Sequence, residues 1–150
     1  MADLPTLVCL CSNVRRASRA LTQIYEAALR PIGLRSTQFT ILQVLARVGE
    51  VTQGRLGEIL AMDSTTLTRT LALMLRAGWI SERRGNPGRG EDGRERRLRM
   101  AKSGEEQLRR ALPAWEKVQA RLRRELGEEK WRQLSQLTTE LAEMHAESVS

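Results

Sequence analysis

Thr65, Arg69 and Arg76 recur at helical spacing in the segment from Asp63 to Ala77. At about 100° per residue they fall, with Ala72, within about 60° of one another, and Thr68 stands at the edge of the group. A hydroxyl reaches a base edge as donor or acceptor, and a guanidinium pairs bidentately with guanine. This small, hydroxylic and basic face therefore suits a helix lying in a major groove. Leu67, Leu71, Met74 and Leu75 take the opposite side as a core face. Asp63 is placed to N-cap the helix and Gly78 to end it. Alone, the pattern equally describes an amphipathic helix with an ordinary solvated face, so its neighbours decide.

Upstream, Thr52 is placed to N-cap a short helix running to Leu60, with Leu56, Ile59 and Leu60 as its apolar positions. Only Ala61 and Met62 separate it from Asp63, a turn tight enough to cross two helices steeply. Downstream, 79–83 and 97–100 alternate with period two around a glycine-rich stretch at 85–93, which predicts two strands and a long flexible tip. Between Arg83 and Arg99 seven arginines stand against three acids, Glu91, Asp92 and Glu95, a local excess of four positive charges. A polar loop has no need of that bias, whereas a hairpin tip tracking phosphates or entering a narrow minor groove does. The order of helix, turn, helix and basic hairpin reads as a winged helix-turn-helix.

The run Leu60-Ala61-Met62-Asp63-Ser64-Thr65-Thr66-Leu67-Thr68-Arg69, then Gly78-Trp79-Ile80, then Asp92-Gly93-Arg94 leading into Leu98-Arg99-Met100-Ala101-Lys102-Ser103-Gly104, resembles the multiple antibiotic resistance regulator (MarR) family. The flanking helices extend the resemblance over nearly the whole chain. It implies a mainly α fold: a winged helix-turn-helix with long N- and C-terminal dimerisation helices and a small β-hairpin wing. It also implies a homodimeric transcription regulator, a repressor, that places Ser64, Thr65, Thr66, Thr68 and Arg69 in the major groove. Arg94 is then expected in the minor groove, with Asp92 orienting its guanidinium. The full set of expected DNA contacts adds Ser36, Thr52, Arg76, Arg84, Arg89 and Arg96. The wing tip is a few residues longer than is usual in the family, and Ala101 stands where a threonine is common.

A chain of 150 residues suits one such protomer, with 34–100 as the DNA-binding module and 4–30 and 101–147 as dimerisation helices. A formal charge of +7 and a pI near 10.6 favour a polyanionic partner. One Phe, one Tyr and three Trp are few for a platform that stacks single-stranded bases, so double-stranded DNA is the expected partner. One His (His145) and two Cys provide no ligand set for a metal, and no arrangement argues for catalysis. Neither a cofactor nor an enzyme activity is expected. With no apolar run near the roughly 20 residues of a membrane span, and no basic stretch ahead of the first apolar residues, no membrane partner is expected and the chain reads as cytoplasmic. The competing function is a nucleoid-type architectural protein that coats DNA without sequence preference. A helical dimer that has lost DNA binding is disfavoured by the intact Thr/Arg face.

Leu7, Leu10, Val14, Ala17, Leu21, Ile24 and Ala28 alternate by three and four, as do Leu108, Leu112, Trp115, Val118, Leu122 and Leu126. After a stop at Gly127 the pattern resumes with Trp131, Leu134, Thr138, Leu141 and Met144. Helices of about 30 Å or more outrun a compact DNA module, which predicts pairing between protomers through their first and last helices. Pro113 is expected to bend the helix after the wing. A linking helix is predicted from Ser36 to Val48, with Ile41, Leu42, Leu45 and Val48 inward.

Cys11 falls on the first apolar stripe, while Cys9 lies about 160° away from it. The segment resembles the organic hydroperoxide resistance regulators, in which a Cys precedes a Ser-Arg pair and a Tyr, here Cys11, Ser18-Arg19 and Tyr25. Where those regulators place further tyrosines this chain offers Arg15 and Phe39. Cys11, Arg15 and Tyr25 form the candidate redox or ligand site, and the effector is a small molecule or an oxidant. The alternative is a Cys11 that merely fills apolar space.

Overall fold

The computed structural model describes residues 4–149, which form six α-helices and one three-stranded antiparallel sheet. Helix α1 (Leu10–Leu29) leads through a 3-10 turn at Arg30–Ile32 into α2 (Ser36–Val48). The turn closes on Gly33, whose φ of 81° is left-handed and suits glycine. At the start of α2 the Arg35 amide donates to Gln38 Oε1 at 2.9 Å, satisfying a group that the first helical turn leaves free.

A two-residue strand β1 (Val51–Thr52) follows, then α3 (Gln53–Leu60) and α4 (Ser64–Arg76). The wing strands are β2 (Ile80–Arg84), shifted by one residue from the sequence expectation, and β3 (Arg96–Met100), which begins one residue earlier than expected. β3 lies in the middle of the sheet. It pairs Val51 with Leu98 on one side, and Ile80 with Met100 through Arg84 with Arg96 on the other. β1 has no counterpart in the sequence reading, because two residues are too few to show an alternation.

Helix α5 (Lys102–Leu126) packs across α1 and α2, and a break at Gly127, φ 80°, separates it from α6 (Glu128–Val149). The helix runs on through Pro113, where the sequence predicts a bend. Pro113 and Arg109, whose carbonyl loses its N–H partner, are both exposed, so water can take that role. Leu29, Phe39, Ile41, Leu42, Leu45, Leu56, Leu67, Leu71, Met74, Ile80, Leu98, Leu108 and Ala111 form one buried cluster. Phe39 stacks at a tilt on Trp115, with centroids 5.8 Å apart, so it belongs to the core and not to a thiol cage.

Three apolar expectations are corrected. Val48 and Ile59 are exposed, since both lie off the faces that meet the cluster. Leu7 precedes α1, because Asn13 turns its amide back onto the Leu7 backbone and Arg16 donates to the Pro5 carbonyl, folding 5–9 against the helix start. The outer stripes themselves are uncovered: Leu10 and Val14 on α1 and Leu134, Leu137, Leu141 and Met144 on α6 are all exposed. Among the described residues no helix is long and apolar enough to cross a membrane.

Candidate nucleic-acid interface

Asp63 builds the start of α4. Its Oδ1 accepts from the Thr66 amide at 2.9 Å and its Oδ2 from the Thr66 hydroxyl at 2.6 Å. Those two bonds, the hydroxyl's first, hold the Asp63 carboxyl below its ordinary value. Thr66 is thereby committed to the cap. The turn before it is tight because Ala61 adopts a left-handed conformation, φ 48°, and Met62 donates its amide to the Gly57 carbonyl. Ser64, Thr65, Arg69 and Arg76 are exposed and their side chains make no hydrogen bond among the described residues. Leu67, Leu71 and Met74 are buried on the other side, with Leu75 half-buried, so the division of α4 into a core face and a polar face stands.

Thr68 belongs to a relay. Its Oγ1 accepts from Gln53 Nε2 at 2.9 Å, Gln53 Oε1 accepts from Arg96 Nη1 at 3.0 Å, and Arg96 Nε donates to Glu82. Helix α4 is thus tied through α3 to both wing strands. Arg96, expected as a DNA contact, spends its guanidinium inside the protein, because Glu82 lies across the ladder within its reach.

The arginines of the wing divide into two groups. Arg83 donates to Glu50 at 2.5 Å and to Glu91 at 2.6 Å, and Arg97 donates to Glu50 at 3.1 Å and Glu95 at 3.0 Å. Glu91 also accepts the Asn86 amide at 2.8 Å, anchoring the tip. The Arg83 guanidinium and then the Asn86 amide hold the Glu91 carboxyl down at about 2. Arg83 and then Arg97 lower Glu50. The tip is consequently folded, with a 3-10 turn at Pro87–Arg89, where the glycine content predicts flexibility. Arg89 and Arg94 stay exposed with no side-chain hydrogen bond among the described residues, while Arg84 donates to the Arg94 carbonyl at 3.0 Å. Asp92 meets Arg94 through the backbone: its Oδ1 accepts the Arg94 amide at 2.8 Å in a two-residue turn, leaving the guanidinium unoriented in this chain.

Two expected contacts lie on other elements and are internally engaged. Ser36 donates both its amide and its hydroxyl to Glu26 Oε1, at 2.7 and 2.9 Å, joining α1 to α2. Burial works against the Glu26 charge, but the Ser36 bonds and Arg35 prevail and lower its pKa. Thr52 caps α3 by accepting the Arg55 amide at 3.2 Å, as expected, and sits beside Arg97 in the sheet. Glu50, Gln53 and Glu91 escaped sequence reasoning. They bond across as many as 47 positions, and no local spacing marks such partners.

The candidate redox site does not assemble within one chain. Cys9 and Cys11 are both free and exposed, and Cys11 lies 3.9 Å from Arg15 Nη2. Tyr25 is half-buried about four-fifths of the way along α1, where burial raises its pKa, some 21 Å from Cys11 by helical rise. Cys9, set aside by the sequence pattern, is the N-cap of α1. The Ser12 amide, then its hydroxyl and the Cys11 amide, hold the Cys9 thiol below its ordinary value. A separate groove of about 1090 Å³ runs between the α3–α4 turn and α6, with Ile59, Met62, Leu67, Thr139 and Ala142 in its wall. Among the described residues no cluster of His, Cys, Asp and Glu fits a metal, and the His145 side chain lies outside those described.

Against known proteins, the MarR family matches residues 32–90. The transcriptional regulator MosR of M. tuberculosis, solved in complex with DNA, is 33% identical with a TM-score of 0.80, covering 93% of this chain and 98% of that one. The HTH-type transcriptional regulator YwoH of Bacillus subtilis (strain 168) is 29% identical over 96 residues, 64% of this chain and 66% of its own length, a little under two thirds. A mutant MarR from E. coli, solved with operator DNA, shares the fold at 18% identity and a TM-score of 0.76, covering 89% of this chain and 94% of that one. These relatives are transcription regulators and not enzymes. A winged helix-turn-helix carrying a polar α4 face, with 33% identity to MosR over almost its whole length, places the chain in the MarR family of transcriptional regulators.

Proposed function

We propose that the chain acts as a homodimeric repressor that binds a pseudo-palindromic operator in double-stranded DNA. The observation that carries this is the α4 face: Ser64, Thr65, Arg69 and Arg76 are exposed and unspent, whereas other polar side chains of the module, Thr66, Arg83, Arg96 and Arg97, are consumed by internal bonds. Such a face reads base edges when α4 lies in the major groove, with Arg89 and Arg94 on the wing reaching the backbone or the minor groove. That the similar regulator MosR was solved in complex with DNA supports DNA as the partner. The exposed apolar stripes of α1 and α6 support the dimer, since apolar side chains repeated along one helix face mark an interaction surface.

Two signals for release have structural support. A small apolar or anionic molecule in the groove between the α3–α4 turn and α6 would act as a wedge on the helix pair that docks. A peroxide would oxidise the Cys9 thiol, whose ionisation the N-cap position favours, to a sulfenic acid, with reduction of the O–O bond. Attack by the Cys11 thiol would then close a disulfide with loss of water. Cys9 is the extended N-cap and Cys11 stands in the first turn of α1, so that bond would cross the helix start, where the dimer stripe begins. Both cysteines are needed in this scheme, unlike a sensor built on Cys11 alone.

The test of the function compares affinity for upstream promoter fragments with affinity for random duplex at one salt concentration, while light scattering measures the mass in solution. A dimer with a ratio of about 10³ or more is expected. A ratio near one favours an architectural DNA-coating protein, and a monomer at micromolar concentration contradicts the proposed assembly.

A further inference from the structure

The relay from Glu82 to Thr68 has a direction. A guanidinium carries only donors, so the Gln53 oxygen has to face Arg96, 3.0 Å away. The Gln53 NH2 then has to face Thr68, and at 2.9 Å the Thr68 oxygen accepts from it. This leaves Thr68 with its own proton to give. Its neighbours have spent theirs: Thr66 donates its hydroxyl to Asp63 at 2.6 Å, and Thr70 donates to the Thr66 carbonyl at 3.0 Å. Thr68 is exposed, at the edge of the face that carries Thr65 and Arg69, and makes no second hydrogen bond among the described residues.

We infer that Gln53 fixes Thr68 as a hydrogen-bond donor to a base edge, and so acts as a specificity-determining residue through Thr68 without touching DNA itself. The inference rests on the docking of α4 proposed above. A free hydroxyl reads donors and acceptors alike, because its proton rotates to suit. A hydroxyl with one of its two lone pairs already taken from behind, and its proton free, favours the acceptors of the major groove, N7 and O6 of guanine, N7 of adenine or O4 of thymine. The amino groups of cytosine and adenine become its poorer partners. Arg96 and Glu82 are then the supports that keep the Gln53 amide from flipping.

Gln53→Glu reverses the polarity. The carboxylate still takes the Arg96 bond, but towards Thr68 it only accepts, so the Thr68 proton turns inward and its oxygen faces out. The substitution puts a negative charge at the first residue of α3, which favours the helix and keeps the fold. Gln53→Met, which removes both bonds and releases the hydroxyl, provides a second variant.

The experiment is a selection from duplexes with a randomised centre, followed by sequencing, with the full chain as wild type, Thr68→Val, Gln53→Glu and Gln53→Met at one salt concentration. Thr68→Val is expected to lower the preference at one base pair of each half-site by about 3- to 10-fold, the range of one hydrogen bond. Gln53→Met should flatten the same base pair, and Gln53→Glu should shift it towards a base presenting an amino group while other positions keep their wild-type preferences. Wild-type preferences for Gln53→Glu and Gln53→Met at the base pair that Thr68→Val flattens overturn the role of Gln53. So does a Thr68→Val motif identical to that of wild type, and in both cases sequence-specific binding stands. A wild type that enriches no motif overturns that binding and this inference together.

Discussion

Arg69 and Arg94 differ from Arg83, Arg96 and Arg97 in one respect that decides their roles: the latter three have carboxylates within reach and the former do not. Composition alone made the wing look uniformly basic. With Glu50 brought in from outside the hairpin and Glu82 standing on its first strand, Arg83, Arg96 and Arg97 are internally matched, and the excess rests on Arg84, Arg89, Arg94 and Arg99. The two groups should therefore respond differently to substitution. Arg69→Ala is expected to weaken specific binding by about 1–3 kcal/mol and to relax one base pair, the behaviour of a bidentate contact. Arg94→Ala should weaken binding chiefly at an A·T-rich flank. Fluorescence anisotropy on operator variants checks both, and unchanged affinity in both variants would contradict the docking of α4 and the wing.

At the scale of elements, the wing is pinned by the Glu50, Arg83, Glu91 and Arg97 cluster, which makes it acid-sensitive in a defined window. The folded Glu91 pKa, about 2, lies below the ordinary 4.5, so its stabilising effect is complete above about pH 4.5 and is lost as the pH falls through 2. Glu50, lowered by the same arginines, acts in the same direction. The Asn86 amide, which donates to Glu91, should keep its NMR shift from pH 7 to about 3 and move with a midpoint near 2; a midpoint near 4.5 would show that the carboxylate is not held. Helix α5 carries a different weakness. Ala101 is its N-cap, in the extended conformation that a cap requires, with no side-chain acceptor for the free amides. Ala101→Ser should add about 1 kcal/mol in urea unfolding, and a neutral result would mean that those amides are already satisfied. The caps at Thr52 and Asp63, the helix stop at Gly127 and both faces of α4 were legible in the sequence because each depends on residues a few positions apart. Strand β1 and the relay through Gln53 were not, because their partners are supplied by the fold. The lowered Cys9 thiol was not legible for a related reason: it comes from the cap position, which the apolar register does not mark.

For the whole molecule, one chain leaves Leu10, Val14, Leu134, Leu137, Leu141 and Met144 uncovered on two helices, and one α4, docked as proposed, would span only a few base pairs. A dimer resolves both, since pairing the outer helices covers the stripes and sets two α4 helices apart by a fixed distance. The spacing then becomes a property of the DNA site: two half-sites related by a dyad and separated centre to centre by about one helical turn, 10–10.5 bp, or a multiple of it. Hydroxyl-radical protection of the DNA upstream of the chain's own gene measures this directly. The proposed function predicts a bounded, dyad-symmetric footprint with protected tracts at that spacing, which Arg69→Ala weakens in both halves alike. Protection that spreads evenly along the fragment, or that lacks a dyad, would contradict it.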